Sequence, residues 1–176
     1  MAPYSTSFKF DSVYVFDSIP DDDLGGRTGQ SLFEKVLKPL EKNHDNFKAY
    51  YFEVMTWFEL SSKLKTLDQE IIGHGRGPII HIEAHGNISG IKLVAEKEEI
   101  SWSKLSDELT LINKHTRFNL LLVLGLCNGF NFIETLLPTK PAPVWAIVGP
   151  KENVWSGELF DSLTAFYAVD PIVWTA

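Results

Sequence analysis

The chain has 176 residues, 44% of them hydrophobic and 22% charged, and carries a net charge of −7. That is the size of one domain, 1–176, with apolar content for a core of its own and not the composition of a disordered tail. The acidic balance disfavours non-specific nucleic-acid or anionic-membrane surfaces, and no apolar run reaches the ~18 residues of a membrane span.

In chain order, strand then helix recurs. Ser12–Ser18 (SVYVFDS) is rich in β-branched and aromatic residues and ends in the polar turn IPDDDLGGRTG. Gln30–Asn43 spaces Leu32, Phe33, Val36, Leu37 and Leu40 for a helix, which Pro39 should kink or end early. Phe47–Met55 reads as a strand. Trp57–Asp68 sets Trp57, Leu60, Leu64 and Leu67 on one helical face, and GHGRG (73–77) then punctuates. Pro78–Ala84 is expected as a buried strand, Gly90–Ile100 as a short hairpin, and a helix capped by Ser101 or Ser103 should run through Leu111. Asn119–Leu126 (NLLLVLGL) has the apolar character of a central strand covered on both faces. A short helix, a strand Val144–Gly149 and an amphipathic helix Val154–Val169 complete the pattern. Such alternation predicts an α/β sandwich with a mainly parallel sheet, in which functional groups collect just past the carboxyl ends of the strands.

Three strand ends carry residues capable of chemistry. The first ends at Asp17, with Asp21, Asp22, Asp23 and Arg27 in its loop; the PIIHIEA strand ends in His85-Gly86; NLLLVLGL ends in Cys127-Asn128-Gly129. Cys127 is the only cysteine, so an intramolecular disulfide or a cysteine-based zinc centre is excluded. With MAPYSTSFKFDS at the start offering no apolar signal core, a reducing cytoplasm is expected, and no cofactor or metal is called for. If the strands are parallel neighbours, His85 and Cys127, 42 residues apart, emerge on one rim. A thiol at the start of a helix meets partial positive charge, a nearby imidazole can carry its proton to a leaving group, and the amides of Gly86 and Cys127 can face an oxyanion.

Competing patterns are weaker. His81, Glu83 and His85 share a strand face at period two and could hold a metal, but the apolar neighbours favour a buried His81 satisfied by hydrogen bonds, with Arg76 or Lys92 as partner for Glu83. The Pro-Cys-x-x-Cys half of a zinc deaminase is absent. GHGRG precedes a strand instead of opening a helix, and GGRTG (25–29) lacks the Gly-Lys-Ser/Thr of a phosphate loop.

The segments IIHIEAHGNISGI (79–91) and LLLVLGLCNGF (120–130) resemble the caspase-type cysteine peptidases: an apolar strand into His-Gly, a short turn back to Gly-Ile, then an apolar strand into the nucleophile. The separation of 42 compares with about 50 in caspases. GGRTGQSLFEKVLKPL (25–40) is similar to their arginine-bearing loop and first helix, and 144–167 to the strand, substrate-edge loop and helix after the nucleophile.

The resemblance implies a three-layer caspase-like sandwich and a cysteine endopeptidase acting on a protein or peptide substrate. In it Cys127 would be the nucleophile, His85 the general acid/base and Gly86 part of the oxyanion hole. Gly149 to Trp155, including Val154, would be the edge along which substrate lies as an added strand. For the residue before the cut it implies either an acidic side chain bound by Arg27 or a basic one bound by Asp17 or one of Asp21–Asp23. The chain departs from the caspase signature in having Gly125-Leu126-Cys127-Asn128-Gly129 in place of Gln-Ala-Cys-Arg/Gln-Gly, and only about fourteen residues separate Gly129 from the next strand, too few for a maturation linker. Those departures resemble the looser bacterial relatives of CHAT type, which implies an activating partner or fused sensor and a role in antiviral defence or cell death. The alternative is a catalytically silent module that binds a partner through the same groove.

Overall fold

A computed structural model of the chain describes residues 7–8, 10–74, 77–168 and 174–175. A two-residue strand β1 (Ser7–Phe8) precedes the central sheet. That sheet has five strands: β2 (Ser12–Asp17), β3 (Lys48–Glu53), β4 (Pro78–Glu83), β8 (Leu121–Gly125) and β9 (Ala146–Val148). They lie in the order β3-β2-β4-β8-β9, and every neighbouring pair is parallel. The chain builds outward from β2 to β3, then reverses to add β4, β8 and β9. Chain connections therefore diverge between β2 and β4, and a crevice is expected at that point beyond the carboxyl ends.

The three inner strands are buried along their whole length, whereas β3 and β9 at the edges are mostly half-exposed. Alternation divides their side chains between two cores. Tyr14, Phe16, Ile80, Ile82, Leu122 and Leu124 pack on α3 (Trp57–His74) and α4 (Trp102–His115), through Leu60, Leu64, Leu67 and Ile71 of the first and Leu105, Leu109 and Ile112 of the second. On the other face Val13, Val15, Ile79, Leu121 and Val123 meet Leu32 and Leu37 of the first helical segment and Leu159, Leu163 and Tyr167 of α5 (Ser156–Ala168). The architecture is thus a three-layer α/β sandwich. Each fully buried aliphatic contributes about 1.5–3 kcal/mol of transfer free energy, so the two cores together dominate the stabilising side of the balance.

Local departures from the sequence reading have physical causes. Pro39 does not end the first helix: α1 (Thr28–Leu32) passes through a π-helical turn (Phe33–Leu37) into α2 (Lys38–Asn43), and Lys38 N–H donates to the Phe33 carbonyl five residues back. A proline cannot supply the usual donor and crowds the preceding turn, and the wider π turn accommodates both. Helix α3 runs past Asp68 to His74 because Leu67 and Ile71 continue its buried stripe. Ser101, of the two serines considered, caps α4 by accepting from Lys104 N–H at 3.3 Å. The expected hairpin is one pairing of a small antiparallel sheet made of β5 (His85–Gly86), β6 (Gly90–Lys92) and β7 (Ile100–Ser101). The segment after Cys127 is a seven-residue 3₁₀ helix, Gly129–Thr135, and β10 (Trp174–Thr175) pairs with β1. Arg76 and part of the GHGRG stretch lie outside the described residues.

Candidate active site

Register places Glu53, Asp17, Glu83 and Gly125 in one row across the carboxyl ends of β3, β2, β4 and β8. Asp17 and Glu83 are buried there, at 0% and 1% exposure. Buried carboxylates must be hydrogen-bonded, and these are. Asp17 accepts from Ile19 N–H at 3.0 Å, Gln30 N–H at 3.0 Å and the Tyr51 hydroxyl at 3.1 Å, which ties the start of the first helix to the strand end. Burial pushes the Asp17 carboxyl up, the Ile19 N–H opposes this, and the neighbouring Glu83 adds to the rise. Tyr51, partly buried beside that carboxyl, is pushed up as well.

Glu83 accepts from the Thr28 hydroxyl at 2.8 Å and lies 2.9 Å from His81 Nε2, while His81 Nδ1 lies 2.8 Å from the Tyr167 hydroxyl. Burial holds the Tyr167 phenol well above its usual range, so it stays protonated. A Tyr167 hydroxyl that donates to His81 Nδ1 leaves Nε2 as the nitrogen that donates to Glu83. Among the described residues the partner of Glu83 is therefore its own strand neighbour two residues back, and not Lys92, whose Nζ donates to the Lys97 carbonyl. Gly125 is required by this arrangement, because a Cβ there would come within 2.4 Å of Glu83 Oε1.

Above the row opens a cleft of about 210 Å³. Cys127, His85, Val154 and Trp155 all line it, together with Asp23, Glu83 and Gly125. His85 leaves the face shared by His81 and Glu83: it sits in β5 beyond the strand, 58% exposed in its side chain, with Nε2 3.0 Å from Asp23 Oδ2. Gly86 follows where the chain passes directly over the Cys127 turn, since a Cβ there would meet Leu126 Cδ1 at 2.3 Å and the Cys127 carbonyl at 2.5 Å.

The Cys127 turn is laced to the segment before α5. Asn128, at φ 59°, donates from its backbone to the Glu152 carbonyl at 3.1 Å and from Nδ2 to Asn153 Oδ1 at 2.7 Å. Phe130 N–H donates to the Pro150 carbonyl at 2.9 Å. Val154 presents both backbone groups to the sulfur, its N–H at 3.5 Å and its carbonyl at 3.7 Å. No hydrogen bond among the described residues joins Cys127 to His85; each is held by a different neighbour on the same cleft.

Of the expected site residues, Gly86, Asp17, Asp21, Asp22, Arg27 and Gly149 are not among those lining the cleft. Asp17 lies beneath it. Arg27 is turned to Glu53 and Asp21, where its guanidinium holds the Glu53 carboxyl below the usual range and is itself held more firmly protonated. Gly149 lines a separate apolar groove with Leu124, Leu163 and Phe166. Asp23 as the partner of His85, and Tyr167 and Thr28 as supports of the buried pair, went unassigned in the sequence. The alternation of His81 and Glu83 carried part of that signal, because residues two apart on a strand are neighbours on one face.

Among the described residues no three acidic, histidine or cysteine side chains cluster closely enough to hold a metal ion, and no helix is long and apolar enough to cross a membrane. No protein-family model matches the chain, and no curated protein matches it.

Proposed function

We propose that the protein is a cysteine endopeptidase of caspase-like fold, with Cys127 as nucleophile and His85 as general acid/base. The observation that carries this reading is the placing of the only thiol and an exposed imidazole on the same cleft, at adjacent ends of a parallel sheet. His85 takes the thiol proton as Sγ attacks the peptide carbonyl carbon, and the carbonyl oxygen becomes an oxyanion near the backbone of Gly86 and Cys127. The oxyanion collapses, the C–N bond breaks, and the amine departs with the proton from His85. Water, deprotonated by His85, then hydrolyses the thioester and restores the thiol. Val154 offers a backbone N–H and carbonyl beside the sulfur, the groups an extended peptide uses to add itself as a strand. The turn from His85-Gly86 back to Gly90–Lys92 matches the His-Gly hairpin that the resemblance implies.

One feature favours a second reading, a silent module that binds a partner through this groove: Cys127 is engaged by Val154 and His85 by Asp23, with no bond between them. Treatment with an irreversible peptide electrophile, with and without candidate activators, separates the two. The peptidase forms an adduct at Cys127 by intact mass and cleaves a peptide library; Cys127→Ala loses both, and His85→Ala slows both by about 10²–10⁴-fold. Cleavage retained in Cys127→Ala would sink the assignment, and a wild-type chain that never forms the adduct supports the silent module.

A further inference from the structure

We infer that the cleft reads the backbone of its substrate over no more than two residues, the one whose carbonyl the thiol attacks and the one before it. The inference rests on the peptidase reading above and names its substrates as peptides chosen by a short segment at the cut. Sheet order fixes the direction of the bound chain. β8 lies between β4 and β9, so His85, which follows β4, and residues 149–155, which follow β9, flank Cys127 from opposite sides. The leaving amine takes its proton from His85 and lies on that side. The acyl part therefore extends the other way, along 149–155.

Most of the backbone of that edge is already in use. Pro150 has no N–H, and its carbonyl accepts from Phe130 N–H at 2.9 Å. The Glu152 carbonyl accepts from Asn128 N–H at 3.1 Å, and Asn128 Nδ2 holds the side chain of Asn153. Val154 is the residue that turns both its N–H and its carbonyl to the sulfur, at 3.5 and 3.7 Å. Beyond it the extended chain stops, because α5 begins at Ser156 and the Trp155 carbonyl accepts from Leu159 N–H at 3.0 Å. Gly25 closes the same end from the opposite wall, where a Cβ would lie 2.3 Å from Ser156 Oγ. A strand edge pairs with its neighbour through alternate residues, so the next partners after Val154 would be 152 and 156. The first is tied to the Cys127 turn and the second is helical. Val154 is left to pair with a single substrate residue. Exposed Trp155 and Leu24 offer side-chain contact there, but no backbone pair. The cleft, at about 210 Å³, is also smaller than the ~300 Å³ at which pockets for drug-sized ligands begin.

The test uses acetylated peptide chloromethyl ketones of one to four residues on the wild-type protein, the last residue an equal mixture of Arg, Asp, Leu and Gly and the others alanine. Cys127 Sγ displaces chloride, the thiol proton passes to the buffer, and the rate of adduct formation is read by intact mass. Labelling should rise at least about fivefold with the second residue and less than about threefold between two and four, since a further pair of backbone hydrogen bonds would add about fivefold or more. N-methylation of either amide furthest from the ketone in the four-residue probe should slow labelling by less than about twofold. A larger gain from the third and fourth residues, a larger slowing there, or a smaller gain from the second residue overturns the inference and leaves the peptidase reading standing. Alkylation of Cys127 by iodoacetamide with no adduct from any peptide probe overturns the peptidase reading, and the inference with it.

Discussion

Gly125 and Glu83 face each other across β8 and β4, so close that a Cβ on the first would lie 2.4 Å from a carboxylate oxygen of the second. That oxygen cannot swing aside freely, because the carboxylate is buried and pinned by His81 and Thr28. Gly125→Ala should therefore cost about 1–3 kcal/mol in urea unfolding, the usual range for overpacking a filled site. In a Glu83→Ala background the penalty should shrink, giving a coupling above about 0.5 kcal/mol. Simple additivity would show that the carboxylate is not the obstacle.

The His85–Asp23 pair is partly exposed, at 58% and 26% of the side chains, so its loss should hardly touch stability. On the proposed peptidase reading its effect belongs to reactivity, because the carboxylate would fix the imidazole that is to serve the thiol. Asp23→Asn should leave the melting temperature nearly unchanged while slowing peptide-probe labelling of Cys127 roughly tenfold, and Asp23→Glu should recover part of the rate. Equal labelling rates in wild type and Asp23→Asn would remove Asp23 from the site.

Tyr167 anchors α5 to the sheet through His81, and both side chains are fully buried. Tyr167→Phe keeps the ring but leaves Nδ1 of His81 without its partner, which should cost about 1–3 kcal/mol. For a chain of this length that corresponds to a fall of roughly 2–10 °C in thermal unfolding. An unchanged melting temperature would mean that water or another group replaces the hydroxyl without loss.

Asp17 gives a pH test whose sign follows from its raised carboxyl. The folded state holds that proton more tightly than the unfolded chain, where the value is about 3.9. Its stabilising contribution is then complete below the unfolded value and is lost as pH rises through the folded one. Asp17→Asn does not titrate, and it offers one acceptor oxygen to the donors of Ile19, Gln30 and Tyr51, so it should be less stable by about 1–3 kcal/mol at neutral pH. The gap between the two proteins should widen in urea titrations as pH falls towards the unfolded value of about 3.9; a gap that narrows on acidification would contradict the raised carboxyl.

The amino-acid sequence by itself determined the layers. Continuous apolar runs such as VYVF and LLVL, separated by stripes at helical spacing, have few ways to bury themselves other than as strands sandwiched between helices. It also marked His85 and Cys127, because residue types capable of chemistry stood directly after buried strands. What it did not determine was who faces whom. Glu83 could be matched with Lys92 on charge alone, but the sheet set it between His81, Thr28 and Gly125. Arg27 and Asp17 looked equally able to reach a substrate from the same loop region. Packing turned one toward Glu53 and sealed the other under the first helix. Such choices depend on strand register and on which loop covers which row, and those follow from contacts between segments as far apart as His81 and Tyr167. Local spacing carries no record of them, because the energy that fixes them arises only when the distant surfaces meet.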